Sequence, residues 1–192
     1  MIKTRKDLER YLQIDALASG RNSTKAAFFG DEIWKFQISL RILEYCGQTH
    51  GVNRIICIPL KMIHRVRYHR LSVKLGYSIP LYVFDCGLSI VHRGTIVVAN
   101  NTRGGKNCRI HEGVTIGATN GSDQAARLGN NVFIGTGAKI IGQIEIADDV
   151  AIGANAVVSR SILEAGTTWG GVPAEKISDR SSHANLDRRL SL

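Results

Sequence analysis

Leu128-Gly-Asn-Asn-Val-Phe, Ile134-Gly-Thr-Gly-Ala-Lys, Ile140-Ile-Gly-Gln-Ile-Glu, Ile146-Ala-Asp-Asp-Val-Ala, Ile152-Gly-Ala-Asn-Ala-Val and Val158-Ser-Arg-Ser-Ile-Leu follow one another without a break. An aliphatic residue opens every hexad. Gly, Ala or Ser usually follows, and a small or branched residue recurs four places on. This period predicts a parallel β-helix. Each hexad supplies a short strand and a turn, and three hexads close a triangular coil. The aliphatic points inward and stacks on its equivalent in the next coil. Gly or Asn at a corner tolerates a backbone bend that a bulkier residue resists. One coil cannot bury its own apolar face, so the coils must stack.

The phase continues upstream through Ile116 and Ile110. Phe84, Ile90 and Ile96 are also spaced by six but are offset by two, which places two extra residues in the run from Ile96 to Arg103. Gly117-Ala-Thr-Asn-Gly-Ser-Asp-Gln-Ala-Ala-Arg127 fills the length of a hexad pair without an aliphatic at 122. Its polar, glycine-rich composition predicts an extruded loop, a common seat of function on a rigid scaffold.

At 192 residues the chain is one compact domain or a helical cap on a repeat domain. Residues 3–18 predict a short amphipathic helix, and a stronger one starts at Asp31-Glu-Ile-Trp, with Gly47 as its stop. A third is expected over 53–75, with Met62, Val66 and Val73 as its apolar spacing and His64 and His69 on its solvated basic side. Domain limits follow: a cap over 1–76, the coils over 77–177 and a mobile polar tail over 178–192. No run approaches about 20 apolar residues, and the charged start is no secretory signal, so the reading is cytoplasmic with no transmembrane segment. Cys46, Cys57, Cys86 and Cys108 lack paired metal spacing and read as reduced, buried small hydrophobes. The formal net charge is +9. Its basic residues cluster in 54–74 and 180–189 without a nucleic-acid motif, so nucleic acid is set aside. A solvated helix face is the plain reading. Attraction of an anionic cofactor or acceptor, or peripheral contact with a membrane surface, is the other outlet.

Ile90-Val-His-Arg-Gly-Thr-Ile-Val-Val98, the hexads, the loop and Gly170-Gly-Val-Pro-Ala-Glu-Lys-Ile177 resemble the serine acetyltransferase branch of the hexapeptide acyltransferases. That branch includes short relatives that acetylate capsular and exopolysaccharide sugars. The resemblance covers roughly residues 77–177. It implies a left-handed parallel β-helix, acetyl-CoA as co-substrate, no metal and a homotrimer, since the helical segment is short for the family's larger assembly. It places the general base on His92. Histidine suits that task because its ordinary pKa is about 6.5. His111, about one coil later, could line the same groove and contact the acceptor, or make a structural hydrogen bond. Gly117, Ala118, Thr136, Ala154, Gly171 and Lys176 match the coenzyme side, the last as a point charge for phosphates.

Three departures concern the acceptor. The family's orienting aspartate matches Tyr77, so Asp85, seven residues before His92, or a backbone carbonyl is the substitute. The aspartate that helps hold the serine ammonium matches Val91, and the loop pair that grips its carboxylate matches Gln124 and Ala125. Unpaired ligand charge is costly once buried. A neutral sugar hydroxyl is therefore the favoured acceptor, with genuine serine O-acetylation in cysteine biosynthesis as the alternative. Two other classes are weighed. A silent hexapeptide scaffold needs neither coenzyme nor His92. A β-helical zinc enzyme of the carbonic anhydrase kind needs a third outward histidine, which the coils lack.

Overall fold

The computed structural model describes residues 1–192 except 120, 123, 188, 191 and 192, and except the side chains of 52, 53 and 56. Asn120 and Asp123 of the expected loop and Arg188 of the basic tail therefore lie outside the described residues. Three helices come first: α1 (Arg5–Ala18), α2 (Glu32–Gln48) and α3 (Val52–Leu75). Thr4 and Asp7 start α1 with a reciprocal capping box. Gly76, in the left-handed region, ends α3.

The rest of the chain visits three ladders in rotation. The first joins Tyr77–Ser78, Ile96–Val98, Thr115–Gly117, Lys139–Ile141 and Val157–Val158. The second joins Arg103–Gly104, Arg127–Leu128 and Glu145–Ile146. The third joins Ser89–Ile90, Arg109–Ile110, Phe133–Ile134, Ala151–Ile152 and Thr168–Gly170. All these pairings are parallel, and Glu175–Ser178 then turns back antiparallel on Thr168–Gly170. Ile90, Ile110, Ile134 and Ile152 stack in register, as do Val98, Ile116, Ile140 and Val158, and all are buried. At Gly104 the inward position is ceded to Phe84: a Cβ there would lie 2.2 Å from Phe84 Cδ1.

The pairing relocates the two extra residues. Ile90 pairs with Ile110, and Val98, not Ile96, pairs with Ile116. The insertion therefore lies between Ile90 and Val98, in the corner that carries His92, and not in 96–103. Spacing could not decide this, because Ile96 and Val98 are both apolar and both buried.

The helices pack on the first coil. Phe36, Leu40 and Leu75 join its core, and a buried polar cluster fixes the contact. The Arg41 guanidinium pairs with Asp15 at 2.7 Å and with Glu44 at 2.9 Å, and donates to the Phe84 and Asp85 carbonyls. Asp15 in turn accepts from the Gly87 and Leu88 amides. Burial disfavours the Arg41 charge, yet Asp15 and Glu44 outweigh it and raise its pKa.

Two expectations are corrected by packing. The tail is folded back. A 3-10 turn spans Ser182–Asn185, Leu186 and Leu190 are buried, Ser182 donates to the Asn131 carbonyl, and Arg189 reaches Asn22 at 2.8 Å. In α3, His64 is buried and lies 3.2 Å from the Ser39 hydroxyl, whereas Met62, Val66 and Val73 face solvent. The four cysteines are free and buried.

Candidate active site

The corners between the third and first ladders stack into a row. It runs from 91–95 through 111–114, 135–138 and 153–156 to 171–174. Gly113 donates to the Thr95 carbonyl, Gly137 to Glu112, Asn155 to Thr136 and Val157 to Gly171, each at 2.8–3.0 Å. His92 sits at the head of this row, exposed on the enlarged corner. Tyr77, at the place of the family's orienting aspartate, donates its hydroxyl to the His92 carbonyl at 2.7 Å. It therefore holds the backbone of the corner. Asp85 lies at a different corner, where it accepts from the Tyr11 hydroxyl and the Cys86 amide. It faces the helices and does not orient His92.

The nearest carboxylate is one the sequence reading missed. Glu112 occupies the second place of its corner, as His92 does one coil earlier. Ring and carboxylate atoms of His92, His111 and Glu112 lie within 4.8 Å of one another. The two imidazole centroids are 5.8 Å apart, and His111 stands 5.1 Å from the Phe133 ring. Gly94 admits Glu112: its φ is 137°, and a Cβ there would meet the Glu112 Cβ at 2.9 Å. Thr136 donates its hydroxyl to Glu112 Oε1 at 3.0 Å. The backbone amide of Glu112, then Thr136 and the two imidazoles, hold this carboxyl below its usual range against partial desolvation. Burial, then Arg109, lowers the pKa of His111, which favours its neutral form. Glu112 Oε2 and His111 Nε2 are buried without a hydrogen-bond partner among the described residues. Two such orphaned groups beside an exposed imidazole mark a polar cluster of the kind that functional sites carry.

A carboxylate completes a three-ligand set where only histidines were counted. The His111 Nδ1 to Glu112 Oε2 distance is 4.0 Å, whereas zinc bonds near 2.1 Å hold tetrahedral ligands about 3.4 Å apart. The cluster is more open than a zinc sphere and matches hydrogen bonds of about 2.8 Å.

Below the cluster the row narrows to small residues. Thr136 is half-buried, and Ala154 and Gly171 are exposed along the same edge. Gly135 fits only as glycine, since a Cβ would lie 2.8 Å from the Ala154 amide nitrogen. A long, thin ligand can approach the backbone here. The Lys176 ammonium, at the far end of this edge, pairs with Glu164 and Asp179, each at 2.6 Å. Gly117 and Ala118 lie at the other edge of the first ladder, where the loop leaves, with Gln124 exposed and Ala125 buried at the loop base. One chain thus keeps these four residues apart from the His92 row. Asn101, Arg103, Gln124, Ala125, Arg127 and Gln143 line a hollow of about 360 Å³ there.

The family model for bacterial transferase hexapeptides, six repeats, matches residues 125–160. The serine acetyltransferase of Helicobacter pylori strain J99 is 36% identical over 141 residues, covering 67% of this chain and 81% of that protein. The serine acetyltransferase of Staphylococcus epidermidis strain RP62A is 37% identical over 195 residues, covering 96% of this chain and 85% of the relative. Among solved structures, a serine acetyltransferase in complex with CoA superposes with a TM-score of 0.66 at 23% identity, over 90% of this chain and 71% of that one. The Neisseria gonorrhoeae serine acetyltransferase gives 0.65 at 23% identity, over 93% and 68%. The repeats and their corner site define a hexapeptide acyltransferase. The chain belongs to the serine acetyltransferase family of acetyl-CoA-dependent acyltransferases.

Proposed function

We propose that this chain is an acetyl-CoA-dependent O-acetyltransferase with L-serine as acceptor and His92 as general base. The supporting observation is the His92–His111–Glu112 cluster at the head of a row of small corner residues. The favoured sugar acceptor has no support among the relatives, which carry the name serine acetyltransferase. Two features also weaken the argument for it. Glu112 offers the anionic charge that Val91 cannot, and its Oε2 makes no hydrogen bond among the described residues. Arg103 and Arg127 flank Gln124 and Ala125 and offer positive charge where those two side chains have none. A sugar hydroxyl remains the second reading because Val91, Gln124 and Ala125 are themselves neutral.

Acetyl-CoA brings a thioester carbonyl, and the acceptor oxygen bonds to its carbon as the carbon–sulfur bond breaks. Thr136, Ala154 and Gly171 would flank the coenzyme. His92 takes the hydroxyl proton as attack develops, and the proton can then pass to the leaving thiolate. Glu112, ionised beside it, favours the imidazolium that forms. Proximity supplies much of the rest. We read the coil as left-handed, residues 1–76 as its cap and 178–192 as its tail.

The acceptor is tested by following coenzyme A thiol release with L-serine and with a panel of free and nucleotide-linked sugars. Saturable turnover of L-serine is expected. Turnover of sugars with L-serine inert would transfer the assignment to the second reading. Failure of every acceptor, with no acetyl-CoA binding, would leave a silent scaffold.

Assembly follows from the same geometry. The loop and the His92 row lie at opposite edges of the first ladder, so a second copy is needed to bring a loop to a base. Cyclic symmetry closes such a contact. Sedimentation is expected to show an active homotrimer, and a fully active monomer would refute it.

A further inference from the structure

The outward face of α3 is a feature that the active site does not use. The helix packs inward through Cys57, His64 and Leu75. At 100° per residue the opposite face carries Ile55, Ile58, Met62, Ile63, Val66 and Val73, each between 52% and 72% exposed. Arg54, Lys61 and Arg65 border this stripe on one side and Arg67 and Lys74 on the other, while Arg70 lies within it. Lys74 is held by Glu32 at 3.0 Å. Residues 52–75 contain no Asp or Glu. The apolar run is unbroken from Ile55 to Val66, and His69 and Arg70 separate it from Val73; an apolar face of this kind, left in water, marks an interaction surface.

Charge selects the occupant. A second copy laid along the stripe would set one cationic border against another, and like charges across a helix pair oppose association. A bilayer with anionic headgroups satisfies both parts of the face. Aliphatic side chains enter the acyl boundary while Arg and Lys stems reach phosphates. No helix among the described residues is long and apolar enough to cross a membrane. The helix would therefore lie along the surface.

We propose that α3 is a peripheral anchor that seats this enzyme on a bilayer rich in anionic phospholipid. It goes beyond the acceptor assignment and does not depend on it. The test is flotation of the full chain with vesicles of phosphatidylglycerol and phosphatidylcholine, against vesicles of phosphatidylcholine alone. Binding is expected only to the anionic vesicles. It should weaken in 1 M salt, where screening acts within about 3 Å. The Met62→Glu, Val66→Glu double variant should lose it. Lys61→Glu and Arg65→Glu should each weaken it by about fivefold or more. Acetyl transfer to a soluble acceptor checks that the variants fold. Two results would overturn the proposal: wild-type protein that stays unbound, or equal, salt-insensitive binding to neutral vesicles. If wild type ignores vesicles and the double variant sediments as a smaller species, the stripe is an interface between copies instead.

Discussion

His92→Asn is expected to lower turnover by about 10²–10⁴-fold while leaving the fold and the affinity for acetyl-CoA nearly unchanged. The asparagine keeps the corner intact, because the structural contact at this residue is the Tyr77 hydroxyl on its backbone carbonyl. What is lost is a group that can take a proton near neutral pH. Steady-state kinetics, with circular dichroism as the fold check, separate these effects. Glu112→Gln belongs in the same experiment. If Glu112 stabilises the imidazolium as it forms, its loss should lower kcat in a folded protein, with rescue by Glu112→Asp. Near-normal turnover in a folded His92→Asn protein would remove this residue as the base.

The largest effect on stability is expected from Arg41→Met, at about 3–5 kcal/mol. The methionine fills part of the space but leaves the Asp15 and Glu44 carboxylates without their cation, and two carbonyls without a donor. A buried charge stripped of its partner loses far more than an exposed pair would. Urea unfolding of the variant measures the loss. Pairing it with Asp15→Asn should recover part of it, since one of the stranded charges is then gone. A loss below about 1 kcal/mol would show that the cluster does not hold the helices to the coils.

The hexads made the solenoid, its inward residues and its extruded loop legible, because stacking aliphatics repeat at a fixed interval. The resemblance located His92, and the structure sets it at the head of the corner row. Other features depended on three-dimensional facts that a linear pattern does not carry. Glu112 follows a histidine in the chain and reads as a solvated corner. Aligning the hexads as stacked coils, with the insertion at its true corner, would have set it under His92. In α3 two apolar stripes compete, and periodicity cannot say which one faces inward. The choice falls to Leu75 and a buried His64, leaving Met62 and Val66 outside. The tail holds only two widely spaced leucines, Leu186 and Leu190, and these suffice to seat it. Asp85 is misleading because it has the right charge at a plausible distance along the chain but is already engaged by Tyr11 and the Cys86 amide.

Two of the departures from six-residue spacing have a practical meaning. One enlarges the corner at 91–95 and the other extrudes the loop after Gly117, yet pairing resumes in register beyond each, at Val98 with Ile116 and at Leu128 with Gly104. Length can therefore be added or removed in the loop without altering the pairing beyond it, whereas the corner is tied to Tyr77 through the His92 carbonyl. For a protein engineer, acceptor choice and thermal robustness become separate design variables. The loop can be rebuilt for a new alcohol while the His92 corner and the stacked isoleucines are left alone.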